Sequence, residues 1–227
     1  METISSNREH AYKNRFNPRL AALVAMGLAL FSVALSAQYQ NATNEQKKEI
    51  INQITQAAGE MNTMQSDFTQ VKESSFLDEK ITLEGKVYYK KPNKIRFEYT
   101  KPNPYVIAMD GQNMSMTSGG QKTTIPANQS KLFSEISRVM ISGVSGSGLV
   151  DSPDFDTQLA IGPTDYKVVL TPKKKEVRDL FSAIQLYVGK SDKRIRSVEL
   201  VEKGGDKTTI TLRTLSVNTM INDETFK

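Results

Sequence analysis

From Ser66 onward the chain alternates apolar and polar residues with a period of two, over many short runs. "ITLEGKVYYK" places Ile81, Leu83, Val87 and Tyr89 on one side, with Thr82, Glu84, Lys86 and Tyr88 on the other. "KIRFEY" repeats the arrangement, with Ile95, Phe97 and Tyr99 opposite Lys94, Arg96 and Glu98. Pro92-Asn93 between them predicts a turn, where a missing ladder donor does no harm. "DFTQVKES" predicts a strand before this pair, and "YVIAMDG" one after it, ending on an Asp-Gly turn signal. Further short strands are predicted around 114–117 and 122–125, then at 155–161, 166–171, 181–188, 194–202 and 207–217, with Gly204-Gly205 marking the last hairpin. That makes about ten strands. Such alternation belongs to an antiparallel sheet with one buried and one wet face.

Only two stretches carry the helical period. Thr43 is an N-cap whose capping box is completed by Gln46; Ile50, Ile51, Ile54, Ala57, Ala58 and Met61 follow at spacings of three and four, and the helix is expected to end near Met64. The second pattern begins at Asn128, with Leu132, Phe133, Ile136, Val139 and Met140 on one face. "SGVSGSG", Ser142 to Gly148, reads as a flexible connector after it. A sheet this long must curl, split or close, and two helices cover it sparsely. The pattern leaves two outcomes open: a half-open barrel with a helical lid over an apolar hollow, or a fully packed sandwich.

Residues 1–37 stand apart. Arg8, Lys13, Arg15 and Arg19 precede an uncharged run from Leu20 to Leu35, and small residues follow at Ser36 and Ala37. This is the pattern of a secretory signal peptide, with cleavage expected near residues 36–37; an uncleaved anchor is the alternative, although about 16 apolar residues fall short of the roughly 20 that a spanning helix needs. The expected mature domain is 38–227. Four of the 30 basic and two of the 25 acidic residues lie in the leader, so the remainder carries only +3. That mild excess argues against nucleic-acid binding.

Composition narrows the chemistry. There is no cysteine, and the one histidine is His10, in the leader. A Ser-His-Asp triad, a cysteine nucleophile and an ordinary zinc site are therefore out of reach of the mature chain. "DSPDFD", Asp151 to Asp156, lacks the glycine and terminal glutamate of a calcium loop and reads as a solvated turn. "SGVSGSG" has no following Lys-Ser/Thr and is no P-loop. A two-carboxylate glycosidase would need acids pointing into the hollow, whereas the strand phasing turns Glu84 and Glu98 outward. No enzyme and no cofactor are expected.

"SDFTQ" (Ser66 to Gln70), "GKVYYKKPNKIRFEYTKPNPYVIAMDGQ" (Gly85 to Gln112), "YKVVLTPK" (Tyr166 to Lys173), "IQLYVGKSDKRIRSVEL" (Ile184 to Leu200) and "KTTITLRTLSVNTMINDETF" (Lys207 to Phe226) occur in an order that resembles the periplasmic outer-membrane lipoprotein carriers, the LolA family. The resemblance implies a mainly β, α+β fold: an unclosed antiparallel β-barrel capped by a helical lid. It implies a monomeric periplasmic carrier of acylated lipoproteins, working between an inner-membrane ABC extractor and an outer-membrane acceptor. The family's signature has an arginine before its proline, associated with holding the lid shut; here that position is Lys91.

On this reading Ile81, Leu83, Val87, Tyr89, Ile95, Phe97, Tyr99, Ile107 and Met109 form the acyl-binding surface. Phe133, Ile136 and Met140 form the lid, Lys91 is its latch, and Gly143, Gly146 and Gly148 are its hinge. Met109 and Met140 offer adaptable surface. A lipid-binding sensor or lipid shuttle of the same fold and a structural protein with a dry core remain as rivals.

Overall fold

In the computed structural model, described here for residues 39–227 except 77–78, 127–130 and 146–149, the architecture is set by one twisted antiparallel sheet. The expected leader lies outside the described residues. In chain order the elements are β1 (Gln40–Asn41), α1 (Asn44–Gly59), β2 (Thr63–Glu73), β3 (Lys80–Lys90), β4 (Lys94–Lys101), β5 (Tyr105–Met109), β6 (Asn113–Ser118), β7 (Gln121–Pro126) and α2 (Lys131–Ser145). There follow β8 (Phe155–Ile161), β9 (Asp165–Pro172), the short α3 (Lys175–Arg178), β10 (Phe181–Gly189), β11 (Ile195–Glu202), β12 (Lys207–Leu212), β13 (Ser216–Val217) and a 3-10 turn (Asp223–Phe226).

The sheet runs β1-β8-β9-β10-β11-β12-β2-β3-β4-β5-β6-β7, with β13 beside β2. Two meanders, β2–β7 and β8–β12, are joined where β12 pairs with β2, in the register Ile210↔Gln70 and Leu212↔Phe68. The path ends on β1 and β7, so the barrel is unclosed. Among the described residues no helix is long and apolar enough to cross a membrane.

The alternation in β3 and β4 translates into burial. Val87, Tyr89, Ile95, Phe97 and Tyr99 are all buried, while their neighbours in sequence face outward. The outward cations are largely engaged within the chain: Lys90 and Lys94 both pair with Asp223 of the 3-10 turn, at 2.6 and 3.0 Å, and Arg96 pairs with Glu98. The two lysines hold the Asp223 carboxyl down at about 2. Gly85 interrupts the alternation for a steric reason. A Cβ there would lie 2.3 Å from the Glu98 carbonyl oxygen and 2.9 Å from the Phe68 ring. The space it leaves lets Phe68 meet Phe97 and Tyr99 edge-on, at centroid distances of 5.6 and 5.1 Å.

Two apolar clusters lie on the concave side. In the first, Ile50 and Ile54 of α1 pack on Val168, Leu170, Ile184 and Leu186 of β9 and β10. In the second, Val144 of α2, with Met140 and Ile141 at its margin, packs on Met64, Phe68, Val87, Ile95, Phe97 and Leu212. Helix α1 therefore covers the first half of the sheet, whereas α2 straddles both, with Val139 in the first cluster and Val144 in the second.

The ends of the helices depart from expectation. The capping box of α1 is present, with the Gln46 side chain accepting from the Thr43 N–H at 2.9 Å. The helix stops at Gly59 rather than near Met64. Asn218, in the left-handed conformation at φ 57°, accepts from the Asn62 N–H at 2.8 Å and donates to the Glu60 carbonyl at 3.1 Å. The freed chain enters β2 at Thr63, four residues before the expected strand start at Asp67. At the other helix, "SGVS" is not a connector: Ser142 to Ser145 complete α2, and Ser142, Val144 and Ser145 are buried.

Gly85→Ala is expected to destabilise the fold by about 2–3 kcal/mol through overpacking against Phe68 and β4. Urea unfolding measures this; an unchanged midpoint would show that the close approach is not needed.

Candidate functional site

Where the two clusters meet, beneath α2, lies an apolar cavity of about 220 Å³. Its roof is Val139, Met140 and Val144 of α2. Its floor comes from β4 (Phe97, Tyr99), β10 and β11 (Phe181, Val198, Leu200), β12 (Thr208, Ile210, Leu212) and β2 (Gln70). None of these side chains carries a charge, and no carboxylate lines the space. Tyr99 donates to Gln70 Oε1 at 2.8 Å and stacks on Tyr105 at 4.1 Å between centroids. Burial above all, with neighbouring Tyr105, pushes the Tyr99 phenol well above its ordinary value.

The expected acyl-binding residues divide into three groups. Phe97 and Tyr99 line the cavity, as does Met140 of the expected lid. Val87, Tyr89, Ile95 and Met109 are closed into the second cluster, with Leu83 and Ile107 partly buried against it. Ile81 sits at the outer end of β3 and is 54% exposed, since the strand runs past the cover of the helices. Phe133 and Ile136 fall within α2, and so does Gly143, the first of the expected hinge glycines; Gly146 and Gly148 lie outside the described residues.

Lys91 is placed against a different helix from the one expected. Its ammonium donates to the carbonyl of Gly59, the last residue of α1, at 2.8 Å, and its N–H donates to the Asn62 carbonyl at 2.8 Å. A cation at a helix C-terminus also complements the helix dipole. Lys91 thus fastens α1.

What fastens α2 is a pair of its own charges, Glu135 and Arg138, met by two from later in the chain, Asp154 and Lys174. Glu135 accepts from Arg138 Nη2 at 2.7 Å and from Lys174 Nζ at 2.9 Å, and Asp154 pairs with the same two cations at 3.3 and 3.0 Å. The Arg138 guanidinium lies over the Phe155 ring, 5.6 Å from its centroid. At the other end of α2 the Tyr89 side chain hydrogen-bonds Ser145. Asp154 is therefore an anchor for α2 rather than part of a merely solvated turn, and Lys174 is part of the same anchor. Burial works to raise the Glu135 pKa, but the hydrogen bonds and charges of Lys174 and Arg138 outweigh it and hold the carboxyl low.

Glu135→Gln is expected to weaken the hold on α2 by about 2 kcal/mol. Hydrogen exchange reads this as faster exchange along α2 with β10 and β11 unchanged; equal rates in both forms would count against the network. The pH dependence follows from the lowered carboxyl. Its contribution is complete above the ordinary value of 4.5 and is lost as the pH falls through the depressed folded value.

No curated protein matches the chain. Solved structures with a similar course include a LolA superfamily protein from Nitrosomonas europaea, 12% identical, covering 80% of this chain and 97% of that one, with a TM-score of 0.43. They also include a putative outer membrane lipoprotein-sorting protein domain from Vibrio parahaemolyticus, 9% identical, covering 78% and 94%, at 0.43. A third is lipoprotein LppX of Mycobacterium tuberculosis, 12% identical, covering 79% and 99%, at 0.44. The family model of the outer membrane lipoprotein carrier protein LolA matches residues 59–227, most of the chain and nearly all of the sheet described above. The chain belongs to the LolA outer membrane lipoprotein carrier family.

Proposed function

We propose that this protein is a non-enzymatic periplasmic carrier that shields the acyl chains of lipoproteins beneath α2 and passes them from the inner to the outer membrane. On this reading residues 1–37 are a cleaved signal peptide and 38–227 the working domain. The chain acts as a monomer, receiving cargo from an inner-membrane ABC extractor and giving it to an outer-membrane acceptor.

The observation that carries the proposal is the uncharged cavity at the junction of the two clusters, roofed by a helix that is itself pinned by reversible polar contacts. Apolar transfer supplies the affinity: each buried methylene contributes about 0.8 kcal/mol. At about 220 Å³ the space exceeds the ~150 Å³ that holds a benzene and falls below the roughly 300 Å³ at which ordinary ligand pockets begin. An acyl chain therefore enters only as Val139, Met140 and Val144 withdraw. Withdrawal breaks the Glu135–Lys174 and Arg138–Asp154 pairs and exposes the inner face of α2. Both costs subtract from the acyl gain, and a moderate net affinity is what allows cargo to leave again.

The experiment is recovery of the protein from the periplasm followed by mass spectrometry of the bound material. Acylated polypeptides are the expected result. Free lipids alone would redirect the reading to a lipid shuttle or sensor, and a ligand-free protein that also fails to take up acylated peptide would end it. A disulfide introduced between α2 and β12 should abolish uptake, and reduction should restore it; uptake unaffected by the crosslink would refute displacement of the roof.

A further inference from the structure

Within the apolar cavity two side chains break the pattern. Gln70 on β2 shares its face with Met64 and Phe68, and Thr208 on β12 shares its face with Ile210 and Leu212. The register Gln70↔Ile210 and Lys72↔Thr208 makes them diagonal neighbours on adjacent strands, close enough for both to reach one ligand atom. The oxygen of Gln70 is engaged by Tyr99 at 2.8 Å, which fixes the amide and leaves its two N–H donors. Among the described residues neither those donors nor the Thr208 hydroxyl has a hydrogen-bond partner.

A donor at the wall of an apolar space discriminates between ligands. A bare hydrocarbon strips water from it and returns nothing, whereas a carbonyl replaces the lost hydrogen bond. The cavity lining holds no cation, so nothing in it balances a carboxylate. The acceptor that fits is neutral.

We propose that Gln70, held in place by Tyr99 and assisted by Thr208, recognises the ester or amide carbonyl at the head of an acyl chain, so that the cavity selects acylated molecules over plain hydrocarbon. This rests on the acyl-carrier reading and adds a specificity to it. The recognition point also sets depth. A carbonyl held at Gln70 directs the chain inward under Met140 and leaves the polar remainder of the cargo toward the ends of β2 and β12.

The test uses the intact protein and a matched pair of ligands, methyl laurate and methyl dodecyl ether, each displacing a bound hydrophobic fluorescent dye. The pair differs by one carbonyl. The wild type is expected to prefer the ester about tenfold, the factor that one net hydrogen bond supplies. Gln70→Leu should remove that preference by weakening the ester while the ether binds as well or better. Thr208→Val and Tyr99→Phe should each reduce the ratio in part, and they carry the test if Gln70→Leu does not fold. An undiminished ester preference in these variants overturns the inference and leaves the carrier reading standing. If neither ligand displaces the dye from the wild type, the carrier reading fails and the inference with it.

Discussion

Everything in this molecule follows from a mismatch of area. A long antiparallel sheet, left open at β1 and β7, presents one apolar face that, among the described residues, two substantial helices cover. Apolar surface left in water is unfavourable by about 25 cal/mol per Å², so each helix is drawn onto the part of the sheet it can serve. Helix α1 fits β9 and β10 closely, through Ile50 and Ile54. Helix α2 lies across the junction, over β11 and β3, with Val139 in the first cluster and Val144 in the second, and the space beneath it is lined by residues of both clusters. The cavity is the residue of that incomplete match.

The two helices are also fastened by different physics. α1 is held by deep apolar packing, with Lys91 and Asn218 finishing its C-terminus. α2 adds to the burial of Val139 and Val144 a set of exchangeable polar contacts: Glu135 with Lys174, Arg138 with Asp154, and Tyr89 with Ser145. Such contacts can be remade with water at modest cost, whereas burial of Ile54 cannot. The division fits a molecule in which one helix stays and the other moves.

Much of this was legible in the chain. Period-two alternation places Val87, Tyr89, Ile95, Phe97 and Tyr99 on one face without any knowledge of the fold, because side-chain direction in a strand is a local property. The capping box at Thr43 is local in the same way. The same parity applied to "DFTQ" puts Gln70 beside Phe68, so a polar group on the greasy face was visible in the letters. What was not legible is long-range. Asn218 ends α1 from 156 residues away, and Lys174 reaches Glu135 across 39. A holding role for Lys91 came from the family resemblance alone, and the helix it meets depends on how α1 docks. The helix ran through "SGVS" because Val144 and the serines beside it are buried on the sheet, and that burial outweighs the local preference of Gly143 for a loop. Ile81 has the right parity but lies beyond the reach of either helix.

The central claim is that ligand replaces α2 over the sheet while α1 stays in place. Hydrogen–deuterium exchange of the protein with and without an acylated peptide tests it directly. Lost protection along Lys131–Ser145 is expected on binding, with Asn44–Gly59 and the β8–β9 pair unchanged. Protection that rises in α2, or that changes equally in both helices, would contradict it.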